Sequence, residues 1–186
     1  MGKNMKLLLI ILGVFLVLFG INRVQQSNLE SNSDEVFTTD RDDVFKFKIT
    51  KDQESISLIY DGATWNIEGN DTLVVKENTL NSFFENVLKV RRTSLVSMNP
   101  SKWEKFNVGD STGTQLKLID YNGDILENVV VGRSNAEWSS SNIRLGDGPE
   151  VYQTNKNISW QLNTSPTHWG ELPPPPEPDT SAVDSL

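Results

Sequence analysis

The chain has 186 residues, with 17 lysines and arginines against 25 aspartates and glutamates, and it has no cysteine. This length allows one ordinary domain with extensions but not two sizeable cores. The acidic balance argues against nucleic-acid binding, which relies on clustered basic residues, and the lack of thiols excludes disulfides and thiolate metal sites. Lys3, Lys6 and Arg23 precede the first acidic residue, Glu30, so the rest of the chain is even more acidic.

Residues 7–21 form an uninterrupted apolar run, LLLIILGVFLVLFGI. As a helix the run would span roughly 22 Å, less than the roughly 30 Å hydrocarbon core, so Lys6 and Arg23 would have to extend toward the two interfaces. A secretory signal peptide also fits this length, but no small-x-small cleavage pattern follows the run. We therefore predict an uncleaved signal anchor over residues 1–23 that binds the lipid bilayer through residues 7–21.

The positive charges near the two ends of this run predict its orientation. The N-terminal amine, Lys3 and Lys6 outweigh Arg23 on the other side, and the more basic end of a membrane span stays in the cytoplasm. We therefore expect residues 24–186 to lie outside the cytoplasmic membrane, which in a bacterium is the periplasm or the cell exterior.

The first half of the remaining chain predicts three strands and a helix. Residues 24–42 are polar and acidic, which is typical of a tether. The segments DDVFKFKIT, SISLIY and TWNIEG alternate like strands, and Asp61-Gly62 between the last two indicates a hairpin whose central residues favour positive φ. In residues 76–90 the apolar side chains recur at helical spacing, which predicts an amphipathic helix lying on the sheet.

The second half predicts further hairpins. RRTSLVS is typical of a strand, and Pro100 in NPSKWEKF indicates a short helix. Turn sequences at Asn122-Gly123 and at residues 146–149 each separate two alternating runs. NISWQLN reads as a last helix-like piece, and the proline-rich residues 172–186 read as a disordered tail. The predicted class is α+β: the anchor helix, then a mostly antiparallel sheet covered by one main helix and short helices, over residues 43–171.

The triplet Gly109-Asp110-Ser111 raises the question of catalysis, because a Gly-Asp-Ser triplet opens one class of serine esterases. Such a serine would stand near the start of its domain and need a histidine base. Here the triplet lies deep in the chain, and the one histidine, His168, immediately precedes the proline-rich segment. The pattern favours a loop leading into a strand, and no cofactor, metal site or carboxylate pair suggests another reaction.

Five tryptophans provide a second set of candidates for function. Trp65 and Trp103 have the surroundings of core residues, whereas Trp138 lies in the polar stretch SNAEWSSS and is expected to be exposed. Exposed aromatic rings can bind sugars, so a glycan-binding surface around Trp138 is one alternative for this chain.

Several segments together resemble the bacterial family called domain of unknown function 4340, in its Bacteroidota-like branch. The resemblance covers residues 43–171 and is carried by the segments TWNIEG, TLNSFFENVLKVRR, SKWEKFNVGDSTGTQLKL, VVVGRSN, NIRLGDGPEVYQTN and ISWQLN to HWGE. One departure is that Trp169 is followed by Gly170, where the family has arginine.

This resemblance implies a membrane-anchored extracytoplasmic protein, with some relatives associated with ABC-type export or gliding motility. It implies no catalytic residue and no cofactor. Arg133 and Arg144 match arginines of the family's motifs, and a tight turn with a surface ion pair explains them better than a ligand site does. With Trp138 they are the candidate binding residues.

Three functions follow from the sequence as hypotheses. The leading one is a non-catalytic domain that binds other proteins of the cell envelope, among them transporter subunits, through exposed sheet edges. The alternative is a cell-wall or glycan-binding module, and the third is an acid-dependent hydrolase.

Overall fold

The computed structural model describes residues 34–175. The predicted anchor, most of the predicted tether and residues 176–186 of the predicted tail lie outside this range. The chain divides into two compact units, residues 1–35 and 36–186, and the fold described below is that of the second unit. Within residues 34–175 no helix is long and apolar enough to cross a membrane.

Ten strands and two helices make up the described fold, together with 3-10 turns at Arg41–Asp43, Pro100–Lys102 and Glu104–Phe106. The helices are α1 (Glu77–Val87) and the single turn α2 (Pro166–Trp169). The strands are β1 (Lys46–Lys51), β2 (Glu54–Tyr60), β3 (Trp65–Ile67), β4 (Val74–Val75), β5 (Arg92–Ser97), β6 (Thr114–Ile119), β7 (Ile125–Arg133), β8 (Ser141–Leu145), β9 (Val151–Thr154) and β10 (Gly170–Glu171).

Eight of the strands form one sheet in the order β3-β2-β1-β6-β7-β8-β9-β5, and β4 pairs separately with β10. Every neighbouring pair is antiparallel. Five hairpins, β1–β2, β2–β3, β6–β7, β7–β8 and β8–β9, link strands that are adjacent in sequence. The predicted antiparallel sheet with one main helix is therefore confirmed.

In the turns of two hairpins an aspartate side chain bonds the backbone of its own turn. In the β2–β3 turn Gly62 has φ 99°, but Asp61 is not in the left-handed region, contrary to the predicted turn geometry. Instead, the Asp61 carboxylate accepts hydrogen bonds from the backbone N–H groups of Ala63 at 2.9 Å and Thr64 at 2.8 Å. Asp120 does the same for Asn122 and Asp124 in the β6–β7 turn. An aspartate that bonds its own turn replaces the two-residue geometry expected from the dipeptide.

The main core lies between the sheet and α1. Phe47 of β1 is fully buried, and its ring stacks on Phe83 of α1 with centroids 4.4 Å apart. Trp169 is also fully buried, and its ring centroid lies 5.3 Å from that of Phe47. Val36 and Phe37, which belong to the stretch predicted as a tether, are buried in the same core. The packed part of the chain thus includes residues that precede the first predicted strand.

A smaller apolar cluster covers the opposite face of the sheet. Along β7, Val129 and Val131 belong to the main core, while Val130 packs with Val108 and Val151 on the other side. This alternation follows from the two-residue period of a strand. The half-buried Trp103 packs on this second cluster, and the half-buried Trp65 packs on the first, so both have the core contacts that were predicted.

The prediction of a helix-like segment at NISWQLN is wrong. Residues 157–163 are irregular with one turn at residues 159–161, and the last helix is the single turn α2, which begins at Pro166. The Asn157 side chain accepts hydrogen bonds from the backbone N–H and the hydroxyl of Ser159, at 3.0 and 2.7 Å. A side chain that bonds the backbone two residues further on offers that backbone an alternative to a helix.

Candidate functional site

The Gly109-Asp110-Ser111 triplet lies in a tightly folded loop between the 3-10 turns and β6. Asn107 introduces this loop with a left-handed backbone, φ 58°. The hydroxyl of Ser111 donates to Oε1 of Glu104 at 3.2 Å. His168 contacts Trp169 in the main core, on the opposite face of the sheet from this loop. Ser111 therefore has no imidazole base, and the triplet is a loop, as the sequence favoured.

Arg144 connects this loop to the β8–β9 hairpin. Its Nε donates to the carbonyl oxygen of Val108 at 3.1 Å, Nη1 to that of Gly146 at 2.7 Å, and Nη2 to Oδ1 of Asp110 at 2.8 Å. The guanidinium also lies 4.0 Å from the centroid of the Trp103 ring. The Arg144 side chain is buried, unlike the surface residue expected from the sequence. It is covered by Trp103 and by the Gly-Asp-Ser loop, both distant in the chain. A ligand in solution cannot reach it.

Arg133 and Trp138, the other two candidate residues, lie together on the surface. Trp138 is 82% exposed, so its expected exposure is confirmed. The guanidinium carbon of Arg133 lies 5.1 Å from the centroid of the Trp138 ring, within the range of a cation–π contact. One face of this indole is thereby occupied, and the position of Arg133 is stabilised by a hydrogen bond to its carbonyl oxygen from Nδ2 of Asn107 at 3.0 Å.

Trp160, one of the five candidate tryptophans, is a surface residue whose exposure was not predicted from the sequence. It is 62% exposed, and its indole N–H donates to the carbonyl oxygen of Asn157 at 3.1 Å. The side-chain amide of the same Asn157 donates to the carbonyl oxygen of Trp138 at 3.0 Å. Asn157 thus bonds both the indole of Trp160 and the backbone of Trp138. The only signal in the sequence was the polar neighbourhood of Trp160, which equally suited an amphipathic helix.

Polar side chains around Trp138 form a hydrogen-bond network rather than a reactive centre. Nε2 of Gln153 donates to Oε2 of Glu137 at 3.2 Å and to the Ser140 hydroxyl at 2.7 Å. The Ser139 hydroxyl donates to Oε1 of Glu137 at 2.7 Å. Such a network holds the loop that carries Trp138 in one conformation, which suits recognition of a ligand more than bond breaking.

Two observations describe the titratable groups in the part of the chain that the structure covers. Burial lowers the pKa of His168 below its ordinary value of 6.5, and Lys76 lowers it further, so the neutral imidazole predominates at pH 7. Within residues 34–175 no three histidine or acidic side chains are grouped so that they could hold a metal ion.

These features define an α+β domain built on one antiparallel sheet, with a polar and aromatic surface at one end of its central strands. Its sequence matches the family described as Domain of unknown function (DUF4340) over residues 65–172, more than half of the chain. The protein belongs to that family. The match begins at β3 and includes the Gly-Asp-Ser loop, Arg133, Arg144 and both exposed tryptophans. No curated protein and no solved structure matches the chain.

Proposed function

We propose that this protein is a non-catalytic, membrane-anchored domain outside the cytoplasmic membrane that binds other proteins of the cell envelope. The predicted anchor at residues 7–21 and its flanking charges support the location. The resemblance to relatives associated with ABC-type export and gliding motility supports a transporter or motility complex as the partner. In such a complex the domain would serve as an accessory component.

The observation that carries the proposal is the edge of the large sheet at β5. Among the described residues β5 has one strand neighbour, β9, so its other side faces outward. Leu95 within β5 is 50% exposed and Met98 just after it is 62% exposed. Unpaired strand edges bind partner strands, and apolar side chains beside them add contact area.

Irregularities along β5 limit what such a partner can be. The pairing with β9 shifts register between Arg92 and Ser94 and again between Leu95 and Ser97. Shifts of this kind interrupt regular pairing, and they protect a free edge against indiscriminate strand addition. A partner that fits β5 therefore has to match a short, interrupted edge, which favours a specific protein.

Photo-crosslinking in the native membrane tests the proposal. A photo-reactive phenylalanine analogue replaces Leu95 in the full-length protein, and the crosslinked species are purified and identified. The matched control places the same analogue at Tyr121, which is 79% exposed at the β6–β7 turn, away from β5. A second comparison removes residues 1–23.

The expected result is a transporter or motility subunit crosslinked at position 95, not at position 121, and lost or strongly reduced without residues 1–23. Equal crosslinking at both positions would contradict docking at β5. Retention of wall fragments with no protein partner at either position would contradict protein binding and favour the glycan-binding alternative.

A further inference from the structure

Trp160 is exposed although the segment around it is firmly packed. Ile158 is fully buried and Leu162 is 3% exposed, and both belong to the main core. The backbone N–H of Gln161 donates to the carbonyl oxygen of Ile158 at 3.1 Å, which closes a turn around Trp160. The indole is therefore held outward by buried neighbours and by its own hydrogen bond to Asn157. An aromatic ring fixed in this way loses little conformational entropy when a ligand covers it.

A cavity of about 660 Å³ lies beside this ring, between the β1–β2 turn and residues 159–164. Its volume is within the range of about 300–1,000 Å³ that is usual for small-ligand sites. Besides Trp160, its lining includes the polar side chains of Asp52, Gln53, Glu54, Asn163 and Thr164.

The polar groups of this cavity are suited to hydroxyl groups. The Thr164 hydroxyl donates to Oε2 of Glu54 at 2.9 Å, which joins the two walls. Asn163 uses Oδ1 to accept from the backbone N–H of Ser165, which leaves its two amide protons as donors. The carboxylate of Asp52 and the amide of Gln53 make no hydrogen bond within the described residues. Carboxylates accept and amides donate, so adjacent hydroxyls, which do both, fit this set.

The charges of the lining disfavour an anionic ligand. Asp52 and Glu54 outnumber Lys51, so a phosphate or carboxylate ligand would meet a net negative wall. A neutral ligand with many hydroxyls and one apolar face avoids this repulsion.

We propose that this cavity binds a neutral oligosaccharide of pyranose units, with one sugar ring stacked on Trp160. A pyranose presents a face of aliphatic C–H groups that covers the apolar indole, while its equatorial hydroxyls point sideways to polar groups. Trp138 does not line the cavity, but it is 82% exposed and its backbone carbonyl accepts from the same Asn157, so we expect its ring to make at most a secondary contact with a neighbouring unit. This site is separate from the β5 edge. The proposal of a glycan site therefore does not depend on whether a protein binds at β5.

Titration of the purified full-length protein with chitohexaose and with cellohexaose tests the site, by calorimetry and by tryptophan fluorescence. The detergent must have no sugar headgroup, since a glycosidic detergent would compete. We expect saturable binding of at least one probe, with affinity falling about tenfold or more for Trp160→Ala, less for Trp138→Ala, and partly restored by Trp160→Phe. Tenfold corresponds to about 1.4 kcal/mol.

The matched control is Tyr121→Ala, which removes an exposed aromatic ring in the β6–β7 turn. This turn lies at the opposite end of the strands from the cavity, so the affinity should be unchanged. Circular dichroism of each variant shows whether the fold is retained, which is expected because all three rings are exposed. Absence of saturable binding to both probes would overturn the proposal. So would binding by Trp160→Ala as tight as that of the unaltered protein, since the ligand would then lie elsewhere.

Discussion

At the scale of single residues, Arg144 shows how a charged side chain becomes part of a protein interior. Its donors meet two carbonyl oxygens and one carboxylate, and its flat face meets Trp103. Burying a guanidinium is costly unless its hydrogen bonds are made. The family motif that contains Gly-Asp-Ser is thereby explained, because its backbone supplies an acceptor and Asp110 supplies the counter-charge.

Replacing Arg144 should destabilise the protein strongly. We expect Arg144→Met to lower the free energy of unfolding by about 3 kcal/mol, because buried acceptors lose their donors. Asp110→Asn should cost less than about 1 kcal/mol, since the Asp110 side chain is 89% exposed and solvent screens the pair. Urea denaturation measures both. The control, Arg133→Met on the surface, should change stability by no more than about 0.5 kcal/mol, and an equal loss in both arginine variants would contradict this account.

His168 should make stability depend on pH in a defined direction. Burial, and then Lys76, lower its pKa in the folded protein below the ordinary value of 6.5. The unfolded chain therefore binds a proton more readily, so the contribution of this residue is fully present above pH 6.5 and is lost as the pH falls below it toward the lowered value. The difference in unfolding free energy between the unaltered protein and His168→Gln should shrink between pH 8 and pH 5.

Lys76 provides the check on this prediction. Its Nζ donates to the carbonyl oxygens of Thr167 at 2.7 Å and His168 at 3.2 Å, which keeps its charge near the imidazole. Lys76→Met should raise the pKa of His168 and weaken the pH dependence. A difference that stays constant over this pH range would show that the imidazole titrates alike in the folded and unfolded protein.

At the scale of elements, the packing of the Gly-Asp-Ser loop on β7 requires a glycine. A Cβ atom at Gly132 would overlap the carbonyl group of Asn107 and the carbonyl oxygen of Phe106. The backbone of the loop thus lies directly on the strand, and this close approach positions Val108 in the smaller cluster. The glycine before Arg133 in the family's motif serves this contact between two elements.

Gly132→Ala should therefore lower the free energy of unfolding by about 2 kcal/mol or more, because the loop has to move away from β7. Gly62→Ala is the matched control: it adds the same methyl group at φ 99°, where no atom lies within 4 Å. Its cost should be limited to backbone strain of about 1 kcal/mol. Thermal unfolding of both variants gives the comparison, and a smaller loss at position 132 than at position 62 would refute the close contact.

At the scale of the whole molecule, the sheet separates two kinds of surface. One face is covered by α1 and the main core, and the other carries the smaller cluster with the Gly-Asp-Ser loop. The free edge at β5 and the cavity beside Trp160 are formed by different parts of the sheet. A protein partner and a glycan could therefore bind without competing for the same residues.

The predicted orientation in the membrane can be tested because the chain has no cysteine. The variants Asn4→Cys and Ser185→Cys each contain a single thiol, on opposite sides of the predicted anchor. In intact spheroplasts a membrane-impermeant maleimide should label position 185, and it should label position 4 only after the membrane is permeabilised. Labelling of position 4 in intact spheroplasts would reverse the orientation.

Much of the fold could be predicted because its signals are local. Strand alternation, the helical spacing of residues 76–90 and the turn residues of the hairpins each act within a few positions of the chain. The exposure of Trp138 and the loop role of Gly-Asp-Ser were also readable from neighbouring residues. The local signal failed at residues 157–163, where the Asn157 side chain competes with helical hydrogen bonding.

The tertiary structure alone decided the properties that depend on residues distant in sequence. Arg144 is buried because a loop 36 residues earlier covers it. Trp160 is exposed beside a cavity because the β1–β2 turn, more than a hundred residues before it, forms the opposite wall. Period and turn chemistry act along the chain and are visible in the sequence, whereas burial and site geometry arise from the packing of elements against one another.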